Sequence, residues 1–231
     1  MVTTHALVPL TQVPLFDGLT DEEIGALSRR LQSRHFPAGA SIIDAEQPGE
    51  VAYVVLDGTV KVQIDRADGT EVILAILRAG EVIGEMSLVD SLGRSANVIT
   101  MEPTAVAWMP RAAFWVCLRE MPAMTFNLVG ILSRRLRLAN GEIESLARLD
   151  VEGRIARQLL DFAAEYGEPA SGEDVMIPIR LTQTDLAALV GASRVRVNQV
   201  LGDYRRRGLI AIDDLHRITV RDREALAREC G

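Results

Sequence analysis

Residues Leu181–Leu201 constrain the chain most. Thr182 can cap a helix through its hydroxyl, with Asp185 three residues on near the positive helix end. Leu186, Leu189 and Val190 follow at helical spacing, and Gly191 breaks the helix where a positive φ is wanted. Ser193 caps a second helix whose inner side is Val197, Val200, Leu201 and Tyr204. Its outer side carries Arg194, Arg196, Asn198 and Gln199. Two helices around such a turn form a helix-turn-helix, and Arg, Asn and Gln on the second supply donors and acceptors suited to base edges in a major groove. A plain helical hairpin with a solvated polar face shares part of this pattern. The residues beyond argue against it. Arg205-Arg206-Arg207-Gly208 closes the helix, and Leu209–Ile212 and Arg217–Val220 flank a polar turn at Asp213–His216, predicting a hairpin wing.

The net charge of −7 is unevenly spread. Residues 180–231 hold 10 Lys+Arg against 7 Asp+Glu, and residues 1–179 hold 15 against 25. A basic reader on an acidic body is compatible with phosphate binding, because that attraction acts within a Debye length of roughly 8–10 Å.

Phe36 to about Pro110 reads as β structure. The runs Ala52–Leu56, Val60–Ile64, Val72–Leu77, Asn97–Met101 and Ala105–Trp108 are separated by turn signals at roughly ten-residue spacing, predicting an antiparallel sandwich or barrel. Asp57-Gly58 and Asp68-Gly69 are the expected hairpin turns. Ahead of this region, Thr20-Asp-Glu-Glu23 is a capping box for a helix with Ile24, Leu27 and Leu31 on its apolar stripe, ending before Pro37. Behind it come helices at Arg111–Glu120, from Pro122 to about Ala147, and at Val151–Tyr166 capped by Asp150. The long helix repeats Val129, Leu136, Ile143 and Leu132, Ala139, Leu146 as two rows of a heptad, predicting a parallel homodimer seam. A helix lying on its own domain is the alternative.

Cys117 and Cys230 suit a reducing cytoplasm better than a disulfide scaffold. The three separated histidines do not make a metal site. No apolar run approaches the ~20 residues of a membrane span. Met1–His5 lacks the start of a secretory signal. Neither a nucleophile–base pair nor a phosphate-binding Gly-Lys-Ser/Thr motif is visible, so an enzyme is not expected.

Three motifs in this order carry a resemblance: Ile83-Gly-Glu85 with Arg94-Ser-Ala96; Leu149-Asp-Val-Glu-Gly-Arg-Ile-Ala156; and Val190-Gly-Ala-Ser-Arg194. Over roughly Leu15 to Val220 the chain resembles the cyclic-AMP receptor protein family of bacterial transcription regulators, which includes the fumarate-nitrate regulators. The resemblance implies an α+β fold: an N-terminal antiparallel β-roll of the jelly-roll, cyclic-nucleotide-binding type, a long dimerisation helix and a C-terminal winged helix-turn-helix. It suggests domains at 1–121, 122–149 and 150–231, with a hinge at Leu149–Asp150. Gly84, Glu85, Arg94, Ser95 and Ala96 then fall in a cyclic-nucleotide site. Gly84 admits the ligand closely, Glu85 accepts from the ribose hydroxyl, Arg94 forks to the phosphate and Ser95 adds donors. A surface loop with an Arg–Glu ion pair is the competing account. Arg135, Ala139 and Asn140 align with positions that meet the purine, Asn140 reaching across the dimer. Ala139 departs from the threonine common in cyclic-AMP binders. Thr182, Ser193, Arg194, Val195, Arg196, Asn198 and Gln199 are the expected DNA contacts, with Val195 replacing the family's glutamate and Gln199 a common arginine. The implied effector is cyclic AMP, gating activation or repression of transcription; the alternative is the same fold answering another small molecule or binding DNA constitutively. Double-stranded DNA, a second copy of the chain and RNA polymerase are the implied partners, and a membrane is not. No cysteine precedes Cys117, so an iron–sulfur cluster is not expected, nor is haem, for which His35 would be the axial ligand.

Overall fold

The computed structural model describes residues 7–45 and 47–231. Met1–His5, read above for a secretory signal, lies outside them. The described residues pack as two compact units, divided between Leu136 and Arg137. No helix among the described residues is long and apolar enough to cross a membrane.

The first unit holds α1 (Asp21–Ser28), strands β1 (Gln32–Phe36), β2 (Ser41–Ile43), β3 (Val51–Asp57), β4 (Thr59–Asp65), β5 (Glu71–Arg78) and β6 (Val82–Ile83), then α2 (Glu85–Asp90), β7 (Asn97–Thr100), β8 (Thr104–Pro110) and α3 (Arg111–Glu120). The helix α4 (Pro122–Arg148) begins here and ends in the second unit. Two antiparallel sheets form, ordered β1-β8-β3-β6 and β2-β7-β4-β5. The capping box of α1 is present on Thr20 and Glu23. That helix is shorter than the sequence suggests. It stops at Ser28, and β1 begins four residues before Phe36, with exposed Gln32–His35 paired along β8.

β3 explains why the central strands read as apolar runs. Ala52, Val54 and Leu56 face one core with Phe16, Leu27, Phe114 and Met124. Val55, between them, faces a second core with Val60, Leu77, Ile83 and Val98. A strand covered on both faces loses its polar alternation.

Asp57-Gly58 is not a hairpin turn. β3 pairs with β6 and β8, whereas β4 pairs with β5 and β7, so this dipeptide carries the chain from one sheet to the other. Gly58 has φ +92°, and a Cβ there would lie 2.8 Å from the Pro103 carbonyl oxygen. Its glycine is required by a close crossing rather than by a two-residue loop. Asp68-Gly69 does join the paired strands β4 and β5.

The second unit comprises the C-terminal part of α4, α5 (Val151–Tyr166), β9 (Glu168–Pro169), β10 (Val175–Ile177), α6 (Gln183–Val190), α7 (Arg194–Arg206), β11 (Ile210–Ile212), β12 (Ile218–Val220) and α8 (Arg223–Arg228). Asp150 caps α5 by accepting from the Gly153 amide at 2.9 Å. Thr182 and Asp185 form a capping box on α6, Gly191 ends it at φ +61°, and Ser193 caps α7. Val197, Val200, Leu201 and Tyr204 are buried beneath α7. β11 and β12 pair as the wing, and β12 continues through β10 to β9. The short strand β9 and the helix α8 are additions that the sequence pattern did not disclose.

Candidate effector cleft and nucleic-acid interface

In the first unit, Ile43, Val62, Leu77, Ile83 and Val98 wall a cleft open to solvent. Gly84, Glu85, Arg94, Ser95, Ala96 and Arg135 also line it, so the structure brings six of the expected residues together. Gly84 has φ +80°, and a Cβ on it would meet Arg94 Nη1 at 2.5 Å and the Val51 carbonyl oxygen at 3.1 Å. Glycine here makes room for the guanidinium as well as for any ligand.

Arg94 is held by the protein. Its Nη1 donates to the Gly84 carbonyl at 2.7 Å and to Ser87 Oγ at 2.8 Å, and its Nη2 donates to the Val51 carbonyl at 2.6 Å. A guanidinium has five N–H donors. These contacts use three, leaving Nε–H and one Nη2–H for another acceptor. Burial lowers the Arg94 pKa from its usual value, opposed by Tyr53, Glu85 and Glu50. It stays a cation at neutral pH, since the arginine pKa starts so high.

Glu85 is buried and pairs with Arg135, whose Nη1 donates to Glu85 Oε1 at 2.6 Å. Arg135 Nη2 donates to the Val82 carbonyl at 2.6 Å, while its buried Nε has no partner. The cleft therefore holds two cations against one carboxylate, with apolar walls and unspent donors. That donor set fits a monoanion carrying an apolar ring. Ser87 is the residue that sequence reasoning missed. It lies one helical turn after Gly84, which is the signal that could have found it. The Val51 and Val82 carbonyls have no comparable signature. Ala139 and Asn140 belong to the second unit, where both are exposed.

On the outer face of α7, the side chains of Arg194 and Gln199 make no hydrogen bond to another described residue, and Val195 is exposed. Arg196 and Asn198 are engaged: Arg196 Nη2 donates to Glu152 Oε1 at 2.7 Å, and Asn198 Oδ1 accepts from Gln183 Nε2 at 2.8 Å. The Thr182 hydroxyl is occupied in its cap. Ser193 Oγ accepts from the Arg196 amide. Of the three arginines that close α7, Arg206 pairs with Asp203, and Arg207 with Asp203 and Glu229. Burial drives the Tyr204 phenol well above its ordinary pKa, and its hydroxyl donates to the Glu152 carbonyl at 3.0 Å. Among the described residues no group of three or more His, Cys, Asp or Glu is arranged to hold a metal ion.

Comparison with known proteins identifies two domains in the chain. Residues 33–121 match the cyclic nucleotide-binding domain, and residues 153–229 match the Crp-like helix-turn-helix domain. A "CRP-like cAMP-activated global transcriptional regulator" of Mycobacterium tuberculosis is 33% identical over 219 residues, covering 95% of this chain and 97% of the relative. The "Cyclic AMP receptor protein" of Thermus thermophilus is 33% identical over 199 residues, covering 86% and 88%. A solved structure of the "c-di-GMP Responsive Global Regulator CLP" of Xanthomonas campestris shares the fold, with TM-score 0.75 at 23% identity over 88% of this chain and 100% of that one. The fold and the matched domains define a transcription regulator that binds DNA through a helix-turn-helix. The chain belongs to the cyclic-AMP receptor protein family.

Proposed function

We propose that the protein is a homodimeric, cytoplasmic transcription regulator whose DNA binding is gated by cyclic AMP. The carrying observation is Arg94, clamped by Gly84, Ser87 and Val51 with two N–H donors left over, in a cleft that also holds Glu85. A cyclic mononucleotide would set its phosphate on Arg94 and a ribose hydroxyl against Glu85. Its purine would lie on the apolar walls, with Asn140 supplied across the dimer. Effector domain 1–121 would lead into dimer helix 122–149, which would join DNA-binding domain 150–231 at a hinge at Leu149–Asp150. The ligand shifts the DNA-binding equilibrium only by its difference in affinity for the two states, about 1–3 kcal/mol in typical coupling. DNA is read as a palindrome with half-sites about one helical turn apart. Arg194 reads a guanine, Val195 offers apolar contact and Gln199 can read adenine. RNA polymerase is the partner at promoters.

A cyclic dinucleotide is the second reading. It is favoured by Ala139, which cannot hydrogen-bond a base, and by the effector named for the Xanthomonas relative. Calorimetric titration with cyclic AMP, cyclic GMP and cyclic di-GMP decides between them. Saturation by cyclic AMP near one per subunit is expected, with stabilisation of about 2.7 kcal/mol at 100 times Kd. Selective heat from cyclic di-GMP would transfer the gate to that ligand, and no heat from any would overturn cyclic-nucleotide control.

A further inference from the structure

The first turns of α5 and α7 meet through one pair of opposite charges. Arg196 and Glu152 lie 2.7 Å apart, with 45% and 42% of their side chains exposed. The carboxylate is presented from a fixed backbone. Tyr204, itself buried, bonds the Glu152 carbonyl oxygen, and Asp150 caps the same turn through the Gly153 amide. Gly153 is packed so closely that a Cβ would lie 2.9 Å from the Glu229 carbonyl oxygen. The backbone of Glu152 is thereby fixed against α7, which keeps its carboxylate within reach of Arg196. Arg194, two positions earlier on the same helix, has no such partner among the described residues.

An exposed ion pair is worth at most about 1 kcal/mol. That is enough to compete with one phosphate contact and too little to forbid it. A paired arginine approaches DNA with its charge already balanced, and the binding step then releases fewer counterions.

We propose that Glu152 is a positioning residue for DNA binding: it holds Arg196 in an internal pair and so attenuates the sequence-independent part of the affinity. Base reading is left to Arg194, Val195 and Gln199. The proposal rests on α7 being the helix that meets DNA.

The test uses the full-length protein, Glu152→Gln, Arg196→Ala and the double variant, each with and without cyclic AMP. Fluorescence anisotropy is measured on a duplex selected from a random pool by the parent protein and on its scrambled counterpart, between roughly 50 and 200 mM salt. Glu152→Gln is expected to tighten binding to both duplexes by the same factor. It should also steepen the salt dependence, by about 0.9 in log–log slope for each subunit that gains a phosphate contact. In the Arg196→Ala background the same substitution should give a smaller gain and no steeper slope. Unchanged or weaker binding by Glu152→Gln would overturn the proposal. So would equal gains in the two backgrounds, because the carboxylate would then act through its own charge alone. A parent protein that prefers neither duplex would overturn the reading of α7 itself.

Discussion

Arg94 and Arg135 show how much of a side chain's role depends on what holds it. Both types were legible in the sequence, Arg94 within Arg94-Ser-Ala96 and Arg135 by alignment on Leu149-Asp-Val151. Their partners were not, because Val51 lies 43 residues from Arg94 and Glu85 lies 50 from Arg135. Arg135→Met should strand the buried Glu85 carboxylate and lower unfolding free energy by roughly 3 kcal/mol, as burying an unpaired charge does. Adding Glu85→Gln should recover much of that loss, and urea denaturation of the single and double variants measures both. Arg94→Ala should remove cyclic-nucleotide stimulation of DNA binding; stimulation at the parent level would discard the phosphate role. On α7, Arg194→Ala should cost about 1–3 kcal/mol at one guanine position. An equal loss on every sequence would mean that Arg194 touches only phosphate.

At the scale of elements, caps and breakers transferred well from sequence to structure. Thr20, Asp150, Thr182, Ser193 and Gly191 all stand at the helix ends expected of them, because capping is settled within four residues. Gly191→Ala should cost about 1–2 kcal/mol, since a side chain at its left-handed φ is strained. A thermal melt unchanged by that substitution would contradict the assignment. Asp57-Gly58 transferred poorly. The dipeptide that marks a hairpin also serves a crossing between sheets, and only strand pairing distinguishes them. Gln32–Phe36 was missed for a related reason. Four of its five residues are exposed, so it lacks the apolar alternation of a half-buried strand, and its backbone bonds to β8 alone define it.

For the whole molecule, α4 matters most. Val129, Leu136, Ile143 and Leu146 are exposed apolar residues, whereas Leu132 is half-buried against the core of its own unit. The proposed seam thus shares one of its positions with intramolecular packing. Phe126, 81% exposed, lies one turn before the first of them and was not included in the heptad reading. Leu136→Glu with Ile143→Glu should convert a dimer to a monomer at micromolar concentration by light scattering; a parent that is already monomeric would remove the seam. Stability should also depend on pH through Glu142. Burial, reinforced by Asp161 and opposed by Arg157, raises its carboxyl pKa above the ordinary value. The folded protein then binds more protons than the unfolded chain between the two pKa values, so this contribution to stability declines as pH rises through that window. Glu142→Gln should raise Tm at pH 7 and lose that advantage below the unfolded pKa; the reverse pattern would refute the sign.

The helix caps, the buried side of α7 and the residue types facing the cleft were set by local rules that operate within a turn or a strand. Which acceptors clamp Arg94, which carboxylate meets Arg135, which recognition-helix side chains remain unpaired and which turn crosses between sheets were decided only by tertiary packing. The physical reason is range. Capping and periodicity are written in neighbouring residues, whereas a hydrogen bond across the fold depends on where the backbone returns, and the spacing of residue types in a sequence does not record that.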